Sequence, residues 1–320
     1  MRQARLLAVI NPISGGARKA NIPDKIKRIL GSEDVSVEVA FTEYAGHATE
    51  LASAAAADGF DIVLSVGGDG TCNEIAKALV HTNTVLGIIP MGSGNGLARH
   101  LGIPVGVSAA LKSLQKAHMV AVDYCQANGL PFFCTCGVGF DAQVSEKFAV
   151  SKTRGGLTYF IKTIEEYLQY KNEYYTIETA DGTIKEKAFI IACGNASQYG
   201  NNAFIAPYAS MCDGKIDVTV MRPFSLLGIL PMTVQLFTKT IRINPHIRTF
   251  TSSEFKIIRE KEGVMHIDGD PVNMPAEINI KCIRQGLKVM IPDIQAANEF
   301  EATMLTLLSN VFGIKIPKSI

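Results

Sequence analysis

Short apolar runs alternate with amphipathic stretches along the first third of the chain. The apolar runs are rich in β-branched residues and have the length of buried strands, whereas the stretches between them have helical spacing. The predicted strands are 6–10, 35–41, 62–66 and 85–89, and the predicted helices are 22–30, 48–57, one beginning near Thr71, 97–101 and 109–114. This alternation predicts an α/β domain with a parallel, doubly wound sheet, which binds ligands at the carboxyl ends of its strands.

After about residue 123 the pattern changes to short strands separated by turn residues. The predicted strands are 132–136, 174–178, 188–193, 215–220, 254–259, 264–268 and 287–291. This spacing predicts an antiparallel β-rich domain that resembles a sandwich or barrel. Helical spacing occurs at 157–170, 226–238 and 298–311. We therefore expect an α/β domain at 1–125 and a β-rich domain at 126–292, with 293–320 packing back on the first domain.

Composition narrows the classes of function. The 320 residues carry a net charge of +1, so the chain offers no basic field for nucleic acid. No apolar run approaches the ~18 residues that a membrane-spanning helix needs, and the longest candidate, Phe224–Phe237, contains Pro231. The N-terminal apolar run predicts a strand rather than a signal peptide. Seven cysteines without paired CxxC spacing indicate reduced thiols and a cytoplasmic protein.

The turn after the third predicted strand has the features of an anion site. Gly67 and Gly68 end the strand, Asp69 follows, and Thr71 to Glu74 has the spacing of a helix capping box. A strand, a glycine turn and a helix N-terminus present bare N–H groups to an anion. A carboxylate there would repel phosphate unless a divalent cation lay between them, so Asp69 indicates a metal–nucleotide complex. An ordinary tight turn is the alternative.

Three further loops of the same kind follow the other predicted strands. They are the segments 11–16, 42–48 and 90–96, which are rich in Gly, Ser, Thr and Asn. In a parallel sheet these loops meet at one edge. Four such loops in succession therefore predict a polar rim that closely approaches a nucleotide.

These loops, together with later motifs, resemble the diacylglycerol kinase catalytic-domain family, which includes bacterial lipid kinases and the sphingosine and ceramide kinases. The motifs in the first half are NPISGG (11–16), TEYAGHA (42–48), VGGDGTCNE (66–74) and PMGSGNGLARHLGIP (90–104). Those in the second half are VDY (122–124), GVGFDAQV (137–144), CDGKIDV (212–218) and HIDGDPV (266–272). The resemblance implies that an N-terminal nucleotide-binding domain and a C-terminal lipid-substrate domain bring ATP and lipid together between them.

The resemblance also implies roles for individual residues. Asp69 would serve the Mg–ATP complex, Asp268 would be the general base with Asp123 beside it, and Asp69 is the rival base because sphingosine kinases use that position. Asp213 and Asp217 match a second, structural Mg²⁺ site. The nucleotide contacts would be Asn11, Ser14, Gly15, Thr42, Gly67, Gly68, Gly70, Thr71, Glu74, Gly92, Ser93 and Asn95.

Several departures from the family pattern leave the lipid class open. Ser93 and Gly96 stand where bacterial members usually have Thr and Asp, which brings the loop closer to the sphingoid and ceramide kinases. Asp270 replaces a Glu, and Cys212 replaces an Asp before the structural metal motif, where it would weaken metal binding.

Other functions fit the sequence less well. The GGDG turn also occurs in NAD kinases, but no second-half segment matches their acceptor-nucleotide motif. Residues 137–142 have the form GxGxxA, yet they lie among strands rather than in a βαβ unit, which argues against a dehydrogenase. A non-catalytic binding module would be expected to lack Asp69 or Asp268, and both are present.

The sequence hypothesis is an ATP- and Mg²⁺-dependent lipid kinase, with diacylglycerol as the first acceptor and sphingoid bases, ceramide or phosphatidylglycerol as alternatives. Such an enzyme would bind the inner, cytoplasmic face of a membrane peripherally, and a homodimer is left open. Candidate membrane contacts are the apolar segments 148–150, 159–161 and 224–237, for which burial in the core is the competing interpretation.

Overall fold

A computed structural model gives the fold and describes residues 2–15, 21–150 and 169–292. The predicted helix at 298–311 and the return of 293–320 to the first domain lie outside these residues. So does the predicted helix at 157–170, apart from its last two positions.

The first part of the chain forms four parallel strands with helices between them. The strands are β1 (Ala4–Ile10), β2 (Val35–Phe41), β3 (Ile62–Gly67) and β4 (Val85–Pro90), in the order β2-β1-β3-β4. The helices are α1 (Ile22–Leu30), α2 (His47–Ala57), α3 (Asp69–Leu79), α4 (Gly96–His100) and α5 (Val107–Leu114). Helix α1 packs against α5 and α2 packs against α3. The predicted parallel, doubly wound sheet is confirmed.

In the residues that the structure describes, the second part adds twelve strands and two longer helices. The strands are β5 (His118–Ala127), β6 (Leu130–Phe132), β7 (Thr135–Gly139), β8 (Glu173–Thr179), β9 (Gly182–Ala188), β10 (Ile190–Gly194), β11 (Ile216–Met221), β12 (Ile247–Ser252), β13 (Glu254–Ile258), β14 (Gly263–Ile267), β15 (Asp270–Met274) and β16 (Glu277–Ile291). The helices are α6 (Phe140–Val150) and α7 (Ile229–Phe237), and short 3₁₀ turns lie at Leu226–Gly228 and Ile241–Ile243.

Six of these strands form a wholly antiparallel sheet in the order β12-β11-β10-β7-β14-β15. Their inward side chains, which include Cys136, Val138 and Ile191, pack with side chains of β8, β13 and β16 in one apolar core. The predicted antiparallel, β-rich domain is therefore confirmed.

The long last strand β16 joins the two parts of the chain. It pairs with β4 in parallel at Val289 and Leu86, and it pairs with β5 and β13 in the antiparallel sense. One sheet of ten strands consequently runs through both halves. Leu287 and Val289 pack in the core of the first sheet, whereas Ile278 and Ile280 pack in the second core. Because one strand contributes to both cores, it sets the position of the β-rich half relative to the glycine loops.

Two local predictions need correction. The predicted strand 132–136 is interrupted after Phe132, and the predicted capping box at the start of α3 does not form. Both departures arise from contacts at the site described below. In the described part of the chain, no helix combines the length and the apolar character needed to cross a membrane.

Candidate active site

A cavity of about 550 Å³ lies between the glycine loops and the β-rich half. The first half lines it with Asp69 and Asn73 of α3, and the second half lines it with Asp141 and Asp268. Apolar side chains complete much of the wall, namely Leu97, Phe133, Phe140, Val144, Ile190 and Leu236. A mostly apolar wall with a few converging polar groups is typical of a small-molecule site.

Asp69 holds the loop that precedes α4. Its Oδ2 accepts a hydrogen bond from the backbone N–H of Asn95 at 2.7 Å, and its Oδ1 accepts one from Gly96 at 2.7 Å. Asn95 has a left-handed backbone with φ of 53°, and its side-chain amide exchanges two 2.8 Å hydrogen bonds with the backbone of Gly92. The carboxylate therefore fixes one glycine loop against the start of α3.

Close backbone contacts explain the glycines in these loops. A Cβ added to Gly92 would lie 2.7 Å from the Cα of Gly68, so the third and fourth loops of the rim can touch only without side chains. Gly15 has φ of 73°, and a Cβ there would clash with the carbonyl oxygen of Met91. Gly70 differs, because it is exposed and a Cβ on it would meet nothing within 4 Å. The space in front of Gly70 is open to a ligand.

The other predicted nucleotide residues of the first half surround this start of α3. The Asn11 amide donates to Thr71 Oγ1 at 3.0 Å, and Ser14 Oγ donates to the Asn11 carbonyl at 3.2 Å. Thr42 is nearly buried, and its N–H donates to the Ile10 carbonyl. Ser93 is exposed. The structure thus brings the predicted loops together at one edge of the sheet.

Glu74 acts on a different helix from the one that the sequence predicted. Helix α3 begins at Asp69, so Thr71 and Glu74 lie inside it, and no side chain caps its N-terminus. The Glu74 carboxylate accepts hydrogen bonds from the N–H groups of Gly46, at 3.0 Å, and Ala48, at 3.2 Å. The capping-box prediction was wrong, since Glu74 caps α2 and ties the second loop to α3.

Asp268 is held in the turn between β14 and β15 with a left-handed backbone, φ of 50°. Its carboxylate accepts three backbone hydrogen bonds, from Phe133 at 2.8 Å, Cys134 at 2.8 Å and Thr135 at 3.0 Å. The N–H groups of Phe133 and Cys134 are therefore not available to a sheet ladder, which is why strand 132–136 breaks between β6 and β7. Burial raises the pKa of Asp268, while the three N–H donors oppose that rise.

Asp69 and Asp268 face the same pair of thiols, although they come from different halves of the chain. The thiol of Cys72 on α3 and that of Cys134 before β7 both have raised pKa values, chiefly because they are buried. The negative charges of Asp69 and Asp268 raise the pKa of both thiols further. The two carboxylates therefore converge on one region of the cavity.

A buried network that the sequence analysis did not assign lies on another wall. Asp141 Oδ2 accepts a hydrogen bond from the Tyr199 hydroxyl at 2.9 Å and lies 3.1 Å from His266 Nε2. Burial raises the pKa of Tyr199 well above its ordinary value, and the charge of Asp141 adds to the effect. Asp141 lies in motif 137–144 and His266 in motif 266–272, so these two motifs could have indicated both residues as candidates for the site.

Asp123 is not among the residues that line the cavity. It is buried, and its carboxylate accepts 2.7 Å hydrogen bonds from the N–H groups of Gly214 and Gln285. The predicted catalytic role of Asp123 beside Asp268 stays a prediction. Its geometry is that of a residue that fixes two loops against β5.

Asp213 and Asp217 lie near each other at the start of β11. Burial, followed by the negative charge of Asp213, raises the pKa of Asp217 to about 6. Asp213 Oδ1 accepts a hydrogen bond from the Lys215 N–H at 2.9 Å. In the described residues no group of three or more His, Cys, Asp or Glu side chains is arranged to hold a metal ion.

The chemistry of the cavity nevertheless suits a hard cation bound together with a ligand. Mg²⁺ prefers oxygen ligands and is usually held by one or two carboxylates plus substrate phosphates and water. Asp69 supplies a carboxylate, and the buried Oδ1 of Asn73, which also lines the cavity, has no hydrogen-bond partner. Asp69 and Asn73 would hold Mg²⁺ with a nucleotide present.

His100 anchors one of the loops around the cavity. Its Nδ1 accepts a hydrogen bond from the Ser197 N–H at 3.1 Å and lies 3.0 Å from the Ser197 hydroxyl. Burial lowers the pKa of His100 to about 4. The neutral imidazole therefore connects α4 to the segment that carries Tyr199.

Two family models match the chain, one in each half. The model described as diacylglycerol kinase catalytic domain matches residues 5–127, and the model described as YegS C-terminal NAD kinase beta sandwich-like domain matches residues 134–291. A Citrobacter koseri protein named "Probable lipid kinase YegS-like" is 28% identical over 271 residues, which cover 82% of this chain and 89% of that protein. An uncharacterised Synechocystis protein is 26% identical and covers 89% of this chain and 69% of its own length.

Solved structures share the arrangement of both halves. A diacylglycerol kinase from Bacillus anthracis has a TM-score of 0.73 at 21% identity, with 91% of this chain and 98% of that chain covered. An NAD kinase from Archaeoglobus fulgidus in complex with ATP has a TM-score of 0.54 at 15% identity, with 93% and 98% covered. At these identities the likeness shows the fold alone.

Proposed function

This chain belongs to the diacylglycerol kinase catalytic-domain family, as its motifs predicted, and from that premise we propose that this lipid kinase transfers the γ-phosphate of Mg²⁺-bound ATP to a lipid hydroxyl. Diacylglycerol is the proposed acceptor and phosphatidic acid the product. A sphingoid base, ceramide or phosphatidylglycerol is the alternative acceptor. The observation that carries the proposal is the cavity in which Asp69 and Asp268, from different halves of the chain, converge beside glycine loops.

The glycine loops are the proposed binding site for the phosphates of ATP. The first N–H groups of α3 have no partner within the helix, and the helix dipole favours negative charge at that end. Open space in front of Gly70 leaves these donors accessible, while Gly92 and Gly68 let two loops lie side by side. When bound, Mg²⁺ neutralises phosphate charge during the transfer. The contacts predicted from Asn11 to Asn95 belong to the loops at this edge of the sheet, and they are part of the proposal.

Asp268 is the proposed general base. Three N–H donors fix the orientation of its carboxylate, and burial raises its pKa, which makes it a better proton acceptor. The acceptor hydroxyl oxygen forms a bond to the γ-phosphorus, the bond from that phosphorus to the bridging oxygen breaks, ADP leaves, and the hydroxyl proton moves to the carboxylate. Asp69 remains the rival base, and Leu236 and Phe133 belong to the apolar wall that would hold the lipid.

Matched carboxamide variants test these roles. Asp268→Asn removes the base, so turnover should fall by about 10²–10⁴-fold while MgATP binding persists. Asp69→Asn should lower ATP affinity as well, because an amide cannot accept from both Asn95 and Gly96. Asp123→Asn is the control, since it also replaces a carboxylate that accepts from two backbone N–H groups, with an amide that can accept from only one of them, at a residue that does not line the cavity. It should lower the melting temperature and leave turnover of the folded protein near normal.

The assay is transfer of labelled phosphate from ATP to a panel of diacylglycerol, sphingosine, ceramide and phosphatidylglycerol. Turnover of Asp268→Asn close to that of the wild type would remove Asp268 from the reaction. Loss of turnover in a folded Asp123→Asn protein would indicate that Asp123 takes part in the reaction. If the wild type binds MgATP and phosphorylates none of the four lipids, the chain is a binding module for these compounds and not their kinase.

A further inference from the structure

An exposed apolar surface lies on the outer side of α7 and the two short turns that flank it. Its exposed side chains are Leu226 at 52%, Leu227 at 89%, Leu230 at 72%, Val234 at 51%, Phe237 at 53% and Ile243 at 75%. We call these six residues the α7 surface. The three helical positions 230, 234 and 237 recur at the spacing of one helix face, and both 3₁₀ turns pack on α7, so the six form one continuous region.

The inner side of the same helix faces the cavity. Met232 is buried in an apolar cluster, and Leu236, one turn further along, is part of the cavity wall. The Leu236 carbonyl accepts a hydrogen bond from the Phe204 N–H at 2.9 Å, which fixes the helix against the segment after Tyr199. A helix that is apolar on both sides belongs in an apolar environment, and here the described residues cover only one side.

The charged side chains in the segment that carries the α7 surface are all basic. The sequence contains no Asp or Glu between Asp217 and Glu254. Lys239 and Arg242 are exposed next to the surface, where their charged groups lie over the rings of Phe204, at 4.6 Å, and Tyr208, at 5.1 Å. Basic groups that flank exposed apolar side chains complement an anionic lipid bilayer. A symmetric dimer through the same surface would instead bring the basic groups of the two copies together.

We propose that the α7 surface docks on an anionic bilayer, with α7 lying between the lipid and the cavity so that the lipid acceptor enters past it. This inference rests on the proposed lipid-kinase function. Docking is a property of the surface itself, so it is measured without nucleotide and separately from turnover.

The test is co-sedimentation with vesicles of phosphatidylcholine, with and without phosphatidylglycerol. The wild type should bind the anionic vesicles, and the double variant Leu227→Asp/Leu230→Asp should bind them on the order of a hundredfold more weakly, from the transfer free energy of two leucine side chains. Lys239→Gln and Arg242→Gln should each weaken binding by about fivefold on anionic vesicles only. Val105→Asp, half exposed at 50% in the first domain, is the matched control and should bind as the wild type does.

Phosphorylation of a short-chain diacylglycerol in free solution separates this inference from the proposed function. The leucine variant should retain that activity and its melting temperature. The inference is overturned if the wild type binds neither kind of vesicle, or if the leucine variant binds the vesicles as well as the wild type does. It is also overturned if light scattering shows that the wild type is a dimer and the leucine variant a monomer. A wild type that binds vesicles but phosphorylates no soluble acceptor contradicts the proposed function and leaves docking supported.

Discussion

Replacing Gly70 with alanine should separate the stability of the fold from the binding of nucleotide. Gly70 lies in the first turn of α3, is exposed, and would place a Cβ in open space. Alanine is favoured over glycine in a helix by about 0.5–1 kcal/mol, so the free energy of unfolding should rise by that amount. If phosphates bind at this helix N-terminus, the added methyl group displaces them from the N–H donors.

The loss of one such charged hydrogen bond is worth about 1.5–3 kcal/mol, so MgATP affinity should fall by about tenfold to a hundredfold. Urea titration of the protein without nucleotide measures the first effect, and calorimetric titration with MgATP measures the second. Ser53→Ala on the exposed side of α2 is the control, because it should stabilise its helix by about 0.5 kcal/mol without changing ATP affinity. An unchanged MgATP affinity in Gly70→Ala would refute the reasoning and move the phosphates away from this turn.

Two further predictions concern the surroundings of the site. The pKa of His100 is lowered to about 4 in the folded protein, whereas an ordinary histidine in the unfolded chain has a pKa of about 6.5. The unfolded chain therefore binds a proton first as the pH falls. The free energy of unfolding should be highest above about pH 6.5 and should decrease by up to about 3 kcal/mol as the pH falls toward 4. His100→Asn, which can still accept from Ser197, should flatten that pH dependence in urea titrations, whereas His118→Asn at an exposed position should leave it unchanged. Mg²⁺ should raise the melting temperature at pH 7 by relieving the repulsion between Asp213 and Asp217, and equal rises in the wild type and in Asp217→Asn would argue against a structural metal there.

The sequence predicted most of the first domain because its information there is local. Each strand is a short apolar run, each loop carries its own glycines, and the predicted bounds of α1 and β2 agree with the structure. The chemistry of the loops was also readable, since small and polar residues at consecutive strand ends meet wherever a parallel sheet forms. The family resemblance was confirmed for the same reason, because its motifs are contiguous segments.

The second half depended more on contacts between distant segments. The sequence indicated one strand at 132–136, but Asp268 takes the N–H groups of Phe133 to Thr135 and divides it. The sequence indicated only the end of β16, whereas the structure extends that strand through both cores. Neither effect can be read from the local spacing of apolar residues, because contacts between distant segments change the backbone without changing that spacing.

The sequence by itself determined the fold class, the family and the four glycine loops, because periodicity and turn chemistry act over a few neighbouring residues. Only the tertiary structure decided which carboxylates share a cavity. It joined Asp141 to His266 across 125 positions and to Tyr199 across 58, whereas Asp123 is not part of the cavity lining. Among the described residues it also left one face of α7 uncovered, and an apolar sequence alone does not distinguish such a helix from a buried one. The physical reason is that burial and electrostatic environment are set by what packs against a residue, and packing partners are distant in the chain.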